Sequence, residues 1–154
     1  MNKIVYVFIA LLTLSMMSCK KGITEEEQLE KDIEEIESYC KEYNLDAKEI
    51  IKGLYYVSIQ EGTGNHPKDK DNVLVRYKGY TTDNSVFDQS GEEGISFNLR
   101  NVIEGWTRGI PQFKEGGSGI LLIASKYAYG KQGANGIKPN TVLVFDVELL
   151  SILY

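Results

Sequence analysis

Val102-Ile103-Glu104-Gly105-Trp106 is the stretch of sequence that decides the fold, because it places a tryptophan just inside a short helix between two apolar, β-rich segments. We predict two turns of helix over residues 102–109, with Asn101 as the cap. Apolar alternation and glycine-rich punctuation predict strands over 54–60, 73–81, 95–99, 119–125 and 141–150. This order of elements predicts an α+β domain, an antiparallel sheet of about five strands wrapped on one short helix.

A second helix is predicted ahead of the sheet, over residues 25–43, with Thr24 and Glu27 as a capping box. Its apolar side chains recur in alternating steps of four and three and form one stripe: Leu29, Ile33, Ile36, Cys40 and Tyr43. The stripe has two interpretations. Either the helix packs on its own domain, or residues 25–44 form the seam of a homodimer in which Cys40 faces its twin. Asp46 is then predicted to cap a short turn over 47–52.

The first residues have the pattern of an export signal. Lys3 precedes an apolar run over 4–14, which is shorter than the roughly 20 residues of a membrane-spanning helix. The small residue Ser18 directly before Cys19 resembles a bacterial lipobox, which implies cleavage before Cys19 and its acylation. The alternative is an ordinary signal peptide with a chance cysteine.

We therefore predict three parts: a cleaved lipoprotein signal peptide over 1–18, a lipid-anchored, acidic helical extension over 19–52, and a folded domain over 53–154. The predicted location is the bacterial cell envelope, facing the periplasm or on the outer membrane. Lipidation of Cys19 would leave Cys40 without a partner in the chain for a disulfide.

Charge and residue types exclude several functions. The net charge is -5, and residues 20–52 alone hold six Lys against eleven Asp or Glu. A nucleic-acid-binding protein would carry a basic face instead, so we predict no nucleic-acid partner.

The single histidine, His66, lies in a polar loop between Asn65 and Pro67, where we expect it to be solvated. One His and one free Cys do not supply a zinc site or a nucleophile–base pair, so no metal is predicted.

Aromatic residues are the stronger signal. Five rings come from five separate elements: Tyr77, Phe87, Trp106, Tyr129 and Phe145. For any one ring, a place in the hydrophobic core is the simpler interpretation. Tyr129 lies in a glycine-rich loop, however, where the rim of a pocket is more expected than a core. Together the rings predict an apolar pocket with few groups for acid–base chemistry.

These residues also carry a family resemblance. From about 53 to 153 the chain resembles the FKBP-type peptidyl-prolyl cis-trans isomerases, the immunophilin class inhibited by tacrolimus and rapamycin. The matching motifs occur in family order: Val75-Arg76-Tyr77-Lys78-Gly79, Phe87-Asp88, Phe97-Asn98-Leu99, Val102-Ile103-Glu104-Gly105-Trp106, Tyr127-Ala128-Tyr129-Gly130 and Leu143-Val144-Phe145-Asp146-Val147-Glu148-Leu149. The resemblance implies a half-barrel sheet curled around the helix, and it makes both macrolides candidate inhibitors.

The resemblance also implies a set of site residues. The catalytic set is Tyr77, Phe87, Asp88, Trp106, Tyr129 and Phe145, and the substrate-binding set is Ile95, Phe97, Val102, Ile103 and Ile137. Trp106 would be the floor under the proline ring, and Asp88 would lie at the rim. The N–H of Ile103 and the hydroxyl of Tyr129 would bind substrate carbonyls. The chain departs from the family at Ile95, where many members have an aromatic wall residue, in the short loop 130–137, and at Lys138, where a proline is common.

The function implied is isomerisation of X–Pro bonds in exported proteins, with proline-containing polypeptides as clients and with no cofactor, nucleotide or covalent intermediate. A binding module that holds proline segments with little turnover is the alternative. A third interpretation is a structural envelope lipoprotein whose helical stripe drives assembly.

Overall fold

The computed structural model describes residues 22–153. The chain forms, in order, α1 (Glu25–Glu42), β1 (Lys48–Ile51), β2 (Leu54–Gln60), β3 (Asn72–Thr81), β4 (Val86–Gln89), β5 (Ile95–Asn98), α2 (Glu104–Gly109), β6 (Ser118–Ile123) and β7 (Leu143–Leu153). The predicted signal peptide and Cys19 lie outside the described residues. Among residues 22–153, no helix has the length and apolar character needed to cross a membrane.

The strands form one antiparallel sheet in the order β1-β2-β6-β7-β3-β4, and β5 pairs with the other end of β3. The predicted α+β architecture, an antiparallel sheet with a short helix, is confirmed, but the sheet has seven strands rather than about five. The additional strands are β1 and β4. Each has four residues, with its two apolar residues adjacent, so neither shows the alternation that predicted the equally short β5.

Two predictions of local structure are wrong. Residues 48–51 are strand β1 rather than a turn capped by Asp46, because they pair with β2 across the tight turn at Gly53. Helix α2 begins at Glu104, and its N-cap is Ile103, with no hydrogen bond from a capping side chain. Asn101 belongs instead to the preceding turn, where its N–H donates to the carbonyl of Asn98 at 2.9 Å.

Helix α1 begins at the predicted capping box. The N–H of Glu27 donates to Thr24 Oγ1 at 3.1 Å, and the N–H of Thr24 donates to Glu27 Oε2 at 2.7 Å. The face that is buried consists of Leu29, Asp32, Ile36 and Tyr39. The helix therefore packs on its own sheet, the first of the two interpretations above. Four of the five residues in the predicted stripe pack against this side, and Tyr43 does not. The stripe missed Asp32, because a pattern of apolar residues omits a buried carboxylate.

The sheet is covered on both sides, which produces two hydrophobic clusters. The pocket-side cluster includes Leu121 and Ile123 of β6, on the side of α2. The helix-side cluster includes Ile120 and Leu122, on the side of α1. Burial on both faces explains why β6 is almost continuously apolar, since alternate residues enter different clusters.

Candidate functional site

An open cavity of about 440 Å³ lies on the pocket side of the sheet, between α2 and the strands. Its lining comes from β3, β4, β5, α2, β7 and the loops before and after them. The lining residues are Tyr77, Phe87, Asp88, Phe97, Asn101, Val102, Ile103, Trp106, Tyr129 and Phe145. Residues far apart in the sequence thus meet around one concave, mainly aromatic surface, the usual form of a small-ligand site.

Trp106 lies at the centre of the rings and is 4% exposed. Its ring centroid is 5.1 Å from that of Tyr77 and 5.3 Å from those of Phe97 and Phe145, all in edge-on arrangements. Such edge-to-face packing is the preferred geometry of aromatic pairs. Gly105 lets α2 approach the sheet, since a Cβ there would lie 2.5 Å from Cγ2 of Ile123. The short helix therefore holds the indole in a fixed position.

The two phenylalanines of the wall depend on Gly79 of β3. A Cβ at Gly79 would lie 2.7 Å from Cε1 of Phe145 and 2.7 Å from Cζ of Phe87. The centroids of the two rings are 5.6 Å apart, at an interplanar angle of 86°. The missing side chain at Gly79 thus makes room for both rings against the strand.

The polar groups of the lining include one part-buried hydrogen bond. Tyr77 donates its hydroxyl to Oδ2 of Asp88 at 2.6 Å. Burial, and then the hydrogen bond and charge of Asp88, raise the pKa of Tyr77 well above its ordinary value. The phenol is therefore protonated near neutral pH, and it orients the carboxylate of Asp88 at the edge of the rings.

Nine of the eleven predicted site residues line this cavity, and two do not. Ile95 is 41% exposed at the start of β5, outside the lining, and Ile137 is buried in the pocket-side cluster. Asn101 lines the cavity but was not predicted as a site residue, although its position directly before Val102 was an available signal. The catalytic and substrate-binding roles assigned to these residues stay predictions.

The chemistry of the lining is restricted. Asp88 and the phenols of Tyr77 and Tyr129 are its ionisable groups, and no histidine, cysteine or lysine is among the lining residues. His66 lies elsewhere, exposed, with Nδ1 2.9 Å from the carbonyl oxygen of Pro111. The cavity is thus suited to binding an apolar group and removing it from water.

Comparisons with known proteins agree with this geometry. The family model of the FKBP-type peptidyl-prolyl cis-trans isomerases matches residues 63–150. The chain is 40% identical over 148 residues to the FKBP-type isomerase FkpA of Escherichia coli K12, covering 91% of this chain and 55% of that protein. It is 44% identical over 108 residues to a probable FkpA of Neisseria meningitidis, covering 68% of this chain and 40% of that protein. The chain thus spans about half the length of the curated relatives that it matches.

Solved structures give the same result. A peptidyl-prolyl cis-trans isomerase from Pseudomonas syringae superposes with a TM-score of 0.74 at 32% identity, covering 86% of this chain and 98% of that one. The crystal structure of E. coli FkpA superposes with a TM-score of 0.67 at 43% identity, covering 82% of this chain and 63% of that one. By its family match, its relatives and its fold, the chain belongs to the FKBP-type peptidyl-prolyl cis-trans isomerase family.

Proposed function

We propose that this chain accelerates the cis–trans exchange of X–Pro peptide bonds in polypeptide clients. The observation that carries the proposal is the cavity of edge-packed rings around Trp106, which is the right kind of surface for a proline ring. Family membership supports the same reaction.

The proposed mechanism follows from amide physics. Resonance keeps the X–Pro bond planar behind a barrier of roughly 18–20 kcal/mol, and uncatalysed exchange takes tens to hundreds of seconds. The planar amide is strongly dipolar and is stabilised by water, whereas the twisted transition state has lost its resonance and is less dipolar. Transfer into an apolar cavity therefore destabilises the planar form more than the twisted form.

The surrounding groups would add binding that is specific for the twisted state. Trp106 would be the floor under the proline ring, and Tyr77, Phe87, Phe97 and Phe145 would be the walls. The N–H of Ile103 and the hydroxyl of Tyr129 would hold the substrate carbonyls on either side of the twisting bond. Asp88, oriented by Tyr77, would lie beside the imide at the rim.

An NMR exchange assay on an X–Pro peptide with the full-length chain tests this proposal. The wild-type chain should accelerate exchange, and Trp106→Leu combined with Asp88→Ala should lower kcat/KM by roughly tenfold or more, since both change groups in contact with the substrate. Lys48→Ala, on the exposed edge strand β1, is the control and should match the wild type. An unaltered rate in the double variant rejects the site.

The same assay decides between catalysis and binding alone. Ile95 lies outside the cavity lining, at a position where an aromatic wall residue is common in the family, and this motivates the alternative of a proline-binding module. A peptide that binds without faster exchange supports the module. Tacrolimus or rapamycin added to the assay tests whether either macrolide competes for the cavity.

We also propose that the protein is exported and held in the cell envelope by a lipid on Cys19, with 1–18 as the cleaved signal peptide. The order of apolar run, small residue and cysteine supports this. Mass spectrometry of the mature N-terminus should find acyl chains on Cys19, and Cys19→Ser should release the protein from membranes. An unmodified Cys19 in the membrane fraction contradicts the proposal.

A homodimer through residues 25–44 stays a prediction. Leu29 and Ile36 of the stripe are buried in the helix-side cluster, and Ile33 and Cys40 are partly buried against it, which leaves Tyr43 as the exposed member of the stripe. Sedimentation velocity of the full chain under reducing conditions decides this, because a single monomeric species removes the dimer.

A further inference from the structure

One buried carboxylate links the N-terminal helix to the loop that forms part of the cavity. Asp32 of α1 is 1% exposed. Its Oδ2 accepts the N–H of Ser125 at 2.8 Å and the hydroxyl of Ser125 at 2.6 Å. Its Oδ1 accepts the side-chain N–H of Gln28 at 2.6 Å. Three hydrogen bonds thus compensate a charge that would otherwise be costly to bury.

Ser125 is where the chain leaves the sheet and turns toward the cavity. It begins a 3-10 turn, Ser125–Tyr127, and its carbonyl accepts the N–H of Ala128 at 3.0 Å. The next residue is Tyr129, which lines the cavity and is 39% exposed. The carboxylate therefore holds the first residue of a five-residue segment whose last residue is a predicted site residue.

The backbone next to Ser125 has further contacts, with the turn at Gly53 and with Leu29 of α1. The N–H of Ala124 donates to the carbonyl of Gly53 at 2.8 Å. Leu29 of α1 packs against the same place, since a Cβ built at Gly53 would lie 2.7 Å from its Cδ1 and 3.1 Å from the Cβ of Ala124. Helix α1 and the start of the Tyr129 segment are thus in direct contact.

We propose that Asp32 is a positioning residue for the isomerase site, because it fixes Ser125 and thereby the placement of the Tyr129 hydroxyl over the cavity. This inference rests on the function proposed above. Asp32 lies outside residues 63–150, the part of the chain that the family model matches. The N-terminal helix would then complete the site rather than serve as a spacer.

Three variants of the full-length chain test this inference. Asp32→Ala removes both bonds to Ser125. Asp32→Asn keeps an oxygen for Ser125, and its amide N–H can pair with Gln28 once the Gln28 amide is rotated. Ile36→Ala, one turn further along α1, is the control: it removes a fully buried side chain from the helix-side cluster and breaks no side-chain hydrogen bond. Steady-state kinetics are measured well below each variant's Tm.

Asp32→Ala should lower kcat/KM by about tenfold, since a small displacement of a binding group has effects of this size. Asp32→Asn should recover most of the activity. Ile36→Ala should lower the Tm at least as much as Asp32→Ala does, yet remain within about twofold of the wild-type kcat/KM. If Asp32→Ala folds too poorly for kinetics, Ser125→Ala, which loses only the hydroxyl bond, should show a smaller decrease in the same direction.

Amide hydrogen exchange separates failure of this inference from failure of the proposed function. Asp32→Ala should increase exchange over residues 125–133 and leave β6 protected, whether or not the protein is an isomerase. A wild-type chain without isomerase activity overturns the proposed function, and the exchange data then decide whether Asp32 holds the loop. Unchanged exchange, or an Asp32→Ala kcat/KM no lower than that of Ile36→Ala, overturns the role of Asp32.

Discussion

The two faces of the sheet are built from neighbouring residues of the same strands, yet they pack differently. The pocket-side cluster contains Trp106 and the phenylalanines, and it leaves an open cavity of about 440 Å³. The helix-side cluster is mainly aliphatic and is covered by α1. Large rings packed edge-on around a short helix leave a concave aromatic surface, whereas the helix side has a smaller hollow of about 230 Å³ between Tyr39, Tyr80 and Ile120. The pocket side therefore has the larger and more aromatic cavity of the two.

The largest expected loss of stability comes from two matched leucine substitutions in β6, one on each face of the sheet. Leu121→Ala on the pocket side and Leu122→Ala on the helix side each delete a fully buried side chain. Each should lower the free energy of unfolding by about 2–5 kcal/mol, measured by urea denaturation. Only Leu121→Ala should also lower kcat/KM, because Leu121 supports α2 at Gly109. Equal loss of activity in both variants would remove the distinction between the faces.

Gly79→Ala tests the pocket side more locally. The new methyl group would meet Phe87 and Phe145 at 2.7 Å, so both rings must shift. We expect a loss of about 1–3 kcal/mol in the free energy of unfolding and a fall in kcat/KM. Gly91→Ala is the control, since a Cβ at Gly91 meets no atom within 4 Å. Wild-type kinetics in Gly79→Ala would show that the two rings do not shape the site.

Gly53→Ala is the corresponding test on the helix side. Gly53 has φ +88°, and a Cβ there would lie 2.7 Å from Leu29 Cδ1. The left-handed backbone alone should cost about 1–2 kcal/mol of stability. Gly136→Ala isolates that strain, because Gly136 has φ +81° and no atom within 4 Å of a Cβ. The midpoint of urea unfolding should fall further for Gly53→Ala than for Gly136→Ala. Equal midpoints in the two variants would contradict tight packing of α1 at this turn.

The smallest expected effect is a dependence of the Tm on pH, to which one tyrosine on each face of the sheet contributes. Burial raises the pKa of Tyr77 on the pocket side and of Tyr80 on the helix side, and each hydroxyl also faces an aspartate. A phenol whose folded-state pKa is raised stabilises the fold fully below about pH 10, the unfolded value, and this stabilisation declines as the pH rises further. Tm should therefore fall above pH 10, and less steeply in Tyr77→Phe and in Tyr80→Phe. A Tm independent of pH from 9 to 12 would contradict this.

Local signals predicted the long elements well. Strand β2 has the predicted bounds, Leu54–Gln60, and α1 begins at the capping box of Thr24, because alternation and capping depend on near neighbours in sequence. The short edge strands β1 and β4 were missed, since their apolar residues are adjacent, whereas those of the equally short β5 alternate with polar residues. Their positions come from pairing with β2 and β3, and pairing partners cannot be derived from a short segment alone.

The cavity could be predicted only in part. The family motifs named nine of its ten lining residues, but composition and periodicity alone left each ring as an ordinary core residue. Asp32 gave no signal, because its partner Ser125 is 93 positions away and a charged residue in an acidic helix is usually solvated. Ile137 was placed in the lining but packs in the cluster beneath it, a difference in depth that depends on the path of the whole loop.

Trp106 is the only tryptophan in the chain, and it lies at the centre of the cavity with its indole N–H buried and without a hydrogen-bond partner among the described residues. Under excitation that selects tryptophan over the ten tyrosines, the emission of the protein therefore originates at the cavity proposed to bind proline segments. An indole in such dry surroundings emits at short wavelength, and displacement of solvent by a bound proline segment would change its intensity. The protein thus carries its own optical reporter of occupancy, with no label to attach.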